Sequence, residues 1–123
     1  MSKNVLLIDD EKLITKSLQK LLNQEGYNAI AVNSVALALR KIKNIDFGLI
    51  VSDIRMPGVG GVEGLQKIRS TLQRLDKPAV PEILMTGYKD LDKYEEAMSL
   101  DVAMFIYKPF DNDKFLEIVK RFF

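Results

Sequence analysis

Residues 5–11 read VLLIDDE, an apolar run from Val5 to Ile8 that passes directly into Asp9, Asp10 and Glu11. With Asn4 in front, the run reads as a short buried strand. The same pattern recurs along the chain. Leu49 to Ser52 leads into Asp53, Ile83 to Met85 into Thr86, and Met104 to Tyr107 into Lys108 and Pro109. If these runs are parallel strands, all four polar signals fall at one edge of one sheet. That edge is where open α/β sheets bind ligands. Three carboxylates, a hydroxyl and a lysine converging there would make a site for a divalent cation and a phosphoryl group.

Longer stretches with helical periodicity separate the runs. Residues 12–25 carry Ile14, Leu18, Leu21 and Leu22 on one face, and Gly26 stops that helix. Asn28 to Val32 is a further strand. Ser34 suits the N-cap of a helix to Lys43, with Leu37, Ala38 and Ile42 inward. Phe47 to Ser52 is the third strand, and Pro57, Gly58, Gly60 and Gly61 make residues 54–61 a loop. A helix over 62–75 turns Leu65, Ile68 and Leu72 inward, and strands follow over 81–85 and 104–107. Residues 90–100 read as the fourth helix and 112–123 as the last, with Phe115, Ile118, Val119 and Phe122 apolar. Five βα units in one domain over residues 1–123 imply an α/β fold, a doubly wound parallel sheet covered on both faces.

Composition narrows the chemistry. Apolar residues make up 47% of the 123, enough for a true core. The formal net charge of +1 gives no global field toward nucleic acid or an anionic membrane. No apolar stretch approaches the ~20 residues of a membrane span, and residues 1–4 do not resemble a signal peptide, so a cytoplasmic location is expected. Cysteine and histidine are both absent, which excludes disulfides, thiolate or imidazole metal sites and a Ser-His-Asp triad. The available donors are oxygens, which favour a hard cation such as Mg²⁺.

Each signal also has an ordinary reading. Asp9 and Asp10 could cap a helix, and Asp53 could be a turn residue before the glycine-rich loop. Thr86 and Gly87 could form a plain turn, and Lys108 could be a surface lysine before a turn proline. Taken jointly after separate strands, they point to a site. Asp53 can act as a nucleophile that accepts a phosphoryl group. Asp9 and Asp10 would repel it unless a cation neutralised all three. The glycines at 58, 60, 61 and 64 are not a dinucleotide fingerprint, because they follow the third strand and Glu63 occupies the last required glycine position.

Together the segments VLLIDDE (5–11), LIVSDIRMPGVGG (49–61), ILMTGY (83–88) and FIYKPF (105–110) resemble the receiver domains of bacterial two-component response regulators. The resemblance covers nearly the whole chain. It implies a flavodoxin-like (βα)5 fold with strand order 2-1-3-4-5. It implies a phosphoacceptor signalling switch, not a free-standing enzyme, with Asp53 as acceptor. Mg²⁺ would be held by Asp9, Asp10, Asp53 and the backbone carbonyl of Arg55. Thr86 and Lys108 would contact the phosphoryl group, the Lys108–Pro109 bond would be cis, and Phe105 would be the switch aromatic. Arg55 and Tyr88 would flank the approach of hydrolytic water and set the lifetime of the phosphorylated form.

The implied partners are a histidine kinase or phosphotransfer protein and an output domain or protein, without direct nucleic-acid or membrane contact. A phosphorylation-dependent dimer belongs to the same expectation. The phosphoryl donor would be a phosphohistidine elsewhere, since this chain has no histidine. The readout surface would be residues 90–100, 104–107 and 112–123. Two positions depart from the family pattern. Gly60 stands where an acidic residue is common, and Asp101-Val102 stands where glycine-alanine is common. Asp101 would then adopt the left-handed conformation that Asp tolerates better than most residues. Two other readings compete with the switch. An unphosphorylated receiver-like module would differ in Mg²⁺ titration, and an aspartate-nucleophile phosphatase would turn over a generic phosphate ester.

Overall fold

In the computed structural model, residues 3–56 and 58–123 are described, apart from the side chains of Tyr88, Lys89 and Leu91. Pro57 lies outside the described residues. The strands are β1 (Asn4–Ile8), β2 (Asn28–Val32), β3 (Leu49–Asp53), β4 (Glu82–Thr86) and β5 (Met104–Tyr107). The helices are α1 (Lys12–Gln24), α2 (Val35–Asn44), α3 (Gly61–Arg74), α4 (Tyr94–Ser99) and α5 (Asn112–Lys120). All five strands are parallel, in the order β2-β1-β3-β4-β5.

Strand alternation divides the core into two layers. Leu6, Ile8, Ile50 and Leu84 face α2, α3 and α4, packing with Val35, Ala38, Ile42, Leu65, Ile68 and Ala97. Val5, Leu7, Leu49, Val51 and Ile83 face α1 and α5, packing with Leu18, Leu22, Phe115 and Val119. Burial on both faces explains why the inner strands β1, β3 and β4 carry unbroken apolar runs. It also explains why the runs must end where the sheet meets solvent.

Local signals act where the sequence placed them. The Ser34 side chain accepts from the Leu37 N–H at 3.2 Å at the start of α2. Gly26 follows α1 with φ of 90°, the left-handed conformation glycine adopts without steric cost. Asp101 takes the equivalent position after α4 with φ of 54°, as the departure from glycine required. Gly61 opens α3 so close to β3 that a Cβ there would lie 2.2 Å from the Asp53 carbonyl oxygen. Gly61 thus serves close packing beneath Asp53, while Gly64 makes room for Val35 of α2.

Three expectations need correction. Leu37 is exposed, because the buried stripe of α2 runs through Val35, Ala38 and Ile42. In the VALAL segment the apolar residues crowd two faces, and the sheet takes the one led by Val35. The fourth helix does not start at Asp90. A 3₁₀ segment spans Tyr88–Lys93, and α4 proper covers only Tyr94–Ser99. The Asp90 N–H donates to the Gly87 carbonyl at 3.0 Å, which closes a tight i→i+3 turn there. The last helix ends at Lys120, and Phe122 packs its ring on the α1/α5 layer beyond it.

Candidate functional site

Register sets the site. Ile8 lies opposite Ser52 and Asp53 lies opposite Met85, so Asp9, Asp53 and Thr86 emerge side by side at the C-terminal edge. Carboxylate oxygens of Asp9, Asp10 and Asp53 all lie within 4.8 Å of one another. Asp9 and Asp53 are buried while Asp10 is exposed. Lys108, carried by the turn after β5, places Nζ 3.1 Å from Asp53 Oδ1. Its own N–H donates to the Thr86 carbonyl at 2.7 Å, which ties the β4 and β5 ends together. The Lys108–Pro109 peptide is cis.

The electrostatics are those of an acidic pocket short of positive charge. Burial pushes the Asp9 carboxyl up to about 6, against the Glu11 N–H bond that lowers it, and the Asp53 charge adds to the rise. Burial likewise raises Asp53, although Lys108 opposes it. Lys108 is itself held above its ordinary range, because the charge and hydrogen bond of Asp53 outweigh its burial. Asp9 Oδ1 accepts from the Glu11 N–H at 3.0 Å. Asp9 Oδ2 is buried and has no hydrogen-bond partner among the described residues. A buried carboxylate oxygen with no donor is costly unless something positive meets it. One lysine against three carboxylates leaves room for a divalent cation, and all-oxygen donors suit a hard one.

Thr86, Phe105 and Arg55 sit on β4, on β5 and in the loop after β3. Thr86 is buried at the end of β4. Phe105 is half-buried, its ring 5.8 Å from Tyr94 and 6.5 Å from Tyr107. The two tyrosine hydroxyls lie 3.2 Å apart, bridging α4 to β5 on the outer surface. The side chain of Tyr88 lies outside the described residues. The Arg55 guanidinium reaches the loop after β4, with Nε 2.9 Å from Asp90 Oδ1 and Nη2 2.5 Å from Asp92 Oδ1.

Asp90 is the residue that sequence reasoning passed over. It is buried, and its Oδ2 accepts from the Gly87 N–H at 2.8 Å. Burial works to raise its carboxyl, but the Gly87 N–H and Arg55 prevail and hold it below its ordinary value. The available signal was an acidic residue three places after Gly87, the spacing at which a side chain reaches back to cap a first turn.

The model of the family described as "Response regulator receiver domain" matches residues 5–120. The chain is 34% identical over 121 residues to the response regulator protein FleR of Pseudomonas aeruginosa, covering 98% of this chain and 24% of that protein. It is 30% identical over 117 residues to the transcriptional regulatory protein FixJ of Bradyrhizobium diazoefficiens, covering 95% and 55%. A crystal structure of a response regulator receiver protein from Pseudomonas putida superposes with a TM-score of 0.86 at 26% identity, covering 98% of each chain. The chain therefore spans between about a quarter and about half of the two curated relatives' lengths.

Proposed function

This chain belongs to the response regulator receiver family, and from that premise we propose that it is a phosphoacceptor switch charged at Asp53. The observation that carries the reading is the pairing of buried Asp53 with Lys108 at 3.1 Å, inside a triad of carboxylates within 4.8 Å. Such an arrangement stabilises little by itself. It becomes favourable when a cation and a phosphoryl group enter.

In the proposed reaction a carboxylate oxygen of Asp53 attacks the phosphorus of a phosphohistidine on a donor protein. The O–P bond forms as the P–N bond breaks, and the departing imidazole takes a proton from solvent. Asp9, Asp10, Asp53 and the Arg55 carbonyl would hold Mg²⁺. The bound ion would supply positive charge against the phosphoryl oxygens. Lys108, kept charged by Asp53, gives a second positive contact on the same group. The site opens toward a depression lined by Leu13, Ile14, Pro109 and Phe110 beside Lys108, and Leu13 is 83% exposed. An apolar helix carrying the donor histidine has a seat there, next to the acceptor.

Once formed, the acyl phosphate accepts a hydrogen bond from the Thr86 hydroxyl. Phe105 moves into the space Thr86 vacates. The surface made by α4, β5 and α5 then presents a different face to an output domain or partner, or to a second copy of the chain. A pre-existing equilibrium is biased, not created. Among the described residues no helix is long and apolar enough to cross a membrane, and we place the switch in the cytoplasm with its donor kinase domain.

Acetyl phosphate with Mg²⁺ should add one phosphoryl group to the wild type by intact mass and none to Asp53→Asn. Undiminished labelling of Asp53→Asn would refute the assignment.

A further inference from the structure

Arg55 and Asp90 are 35 positions apart in sequence, yet they join the loop after the acceptor to the loop after Thr86. The contact sits in a closed circuit. Arg55 follows Asp53 by two residues, and its Nε binds Asp90 Oδ1 at 2.9 Å. The other oxygen of Asp90 holds the N–H of Gly87, the residue after Thr86, at 2.8 Å. The Asp90 N–H returns to the Gly87 carbonyl at 3.0 Å. Nη2 of the same guanidinium takes exposed Asp92 in the 3₁₀ segment that leads into α4. The backbone beside Thr86 is thus fixed through a buried carboxylate whose other oxygen is held by Arg55.

We propose that Arg55 and Asp90 form a latch that holds the Thr86–Gly87 turn and the start of α4 in the resting position, and that a phosphoryl group on Asp53 opens it by competing for the guanidinium. This rests on the phosphoacceptor reading above. Two forces act in the same direction. A phosphoryl group carries about −1.5 to −2 charge and several acceptor oxygens, which an arginine fork binds well. The same charge repels the buried Asp90. Deprived of its guanidinium, a buried carboxylate is strongly destabilised and must move toward water. When Asp90 leaves, Gly87 loses its tether and Thr86 can follow the phosphoryl group. Arg55 and Asp90 are positioning residues, acting through Thr86.

The test reads amide chemical shifts of the full chain. Wild type is recorded free of metal and again with Mg²⁺ and beryllofluoride, and the two spectra define the switching line. Arg55→Ala and Asp90→Asn are then recorded free of both. The asparagine keeps an acceptor for Gly87 N–H and removes the charge. Both variants should move Gly87, Ala97, Phe105 and Ile106 along the line, raising the activated population about tenfold. Arg55→Lys, which keeps the charge without the fork, should fall between them and wild type. Shifts confined to neighbours of the substitution, or scattered off the line, would make the pair a structural brace and overturn the latch. A wild type that fails to respond to beryllofluoride would instead remove the phosphoacceptor reading itself, so the two failures show in different proteins.

Discussion

Asp9 gives the sharpest quantitative handle on the pocket. Its carboxyl is raised to about 6 from an ordinary 3.8, chiefly by burial. A folded-state value above the unfolded one means the native protein binds the proton more tightly than the unfolded chain. The stability this confers is complete below pH ~3.8 and is lost as pH rises through about 6. The difference of roughly 2 pH units, at ~1.4 kcal/mol each, corresponds to about 3 kcal/mol by pH 8. Asp53 is raised as well and works in the same sense. In EDTA, therefore, stability should fall between pH 4 and 7, opposite to the usual acid lability of paired carboxylates.

Asp9→Asn isolates this contribution. The amide oxygen still accepts from the Glu11 N–H, and the new NH₂ faces Asp10 and Asp53 as a donor. Urea melts in EDTA at pH 8 should show the variant more stable by about 2–3 kcal/mol, with an unchanged m value. In thermal melts that is roughly 8 °C for a chain of this size. At pH 4 the two proteins should agree within about 0.5 kcal/mol. Added Mg²⁺ should stabilise the wild type by mass action and leave the variant nearly unmoved. A variant no more stable than wild type at pH 8, with the same pH profile, would show that Asp9 carries no uncompensated charge.

Four further outcomes follow from the same geometry. Asp10→Asn should weaken Mg²⁺ binding about tenfold or more and slow acetyl phosphate labelling with the fold intact, measured by metal titration and intact mass. Thr86→Ala should still be labelled, more slowly, and should lose the amide shifts that beryllofluoride induces at Tyr94, Phe105 and Tyr107; full wild-type shifts would exclude Thr86 as the link. Arg55→Asn should shorten the lifetime of the phosphorylated form in a decay assay, because it removes the guanidinium proposed to take the phosphoryl oxygens. In the half-buried Arg69–Glu82 pair, Arg69→Met should cost about 3 kcal/mol and Glu82→Gln clearly less by urea melts, since Glu82 is buried while Arg69 retains contact with solvent.

What the sequence disclosed, it disclosed through strands. A strand buried on both faces must be apolar until the sheet ends, so the first polar residue after each run marks one spatial edge. Asp9, Asp53, Thr86 and Lys108 could therefore be placed together across 100 residues without any contact being known. Helix faces were legible where the apolar spacing was sparse, as in α3, and ambiguous where it was dense, as at Leu37. The backbone at Asp101 was foreseeable because a missing glycine leaves few alternatives to a left-handed Asp.

Asp90 was not legible for a complementary reason. Residues 88–100 carry good helix formers, and propensity alone continues the helix back through Asp90. The 3₁₀ start is dictated by bonds to Gly87 and Arg55, and the second of these crosses between loops with no periodicity to announce it. The difference in legibility has a functional counterpart. Residues at strand ends are fixed by a rigid sheet and would carry the proposed chemistry, which tolerates little displacement. Residues in the loops are fixed by a few polar contacts of modest net strength, which a single added charge can exchange. Substitutions at Asp9, Asp53 and Lys108 should accordingly change whether phosphorylation occurs, and substitutions at Arg55 and Asp90 should change what it does to the surface of α4 and β5.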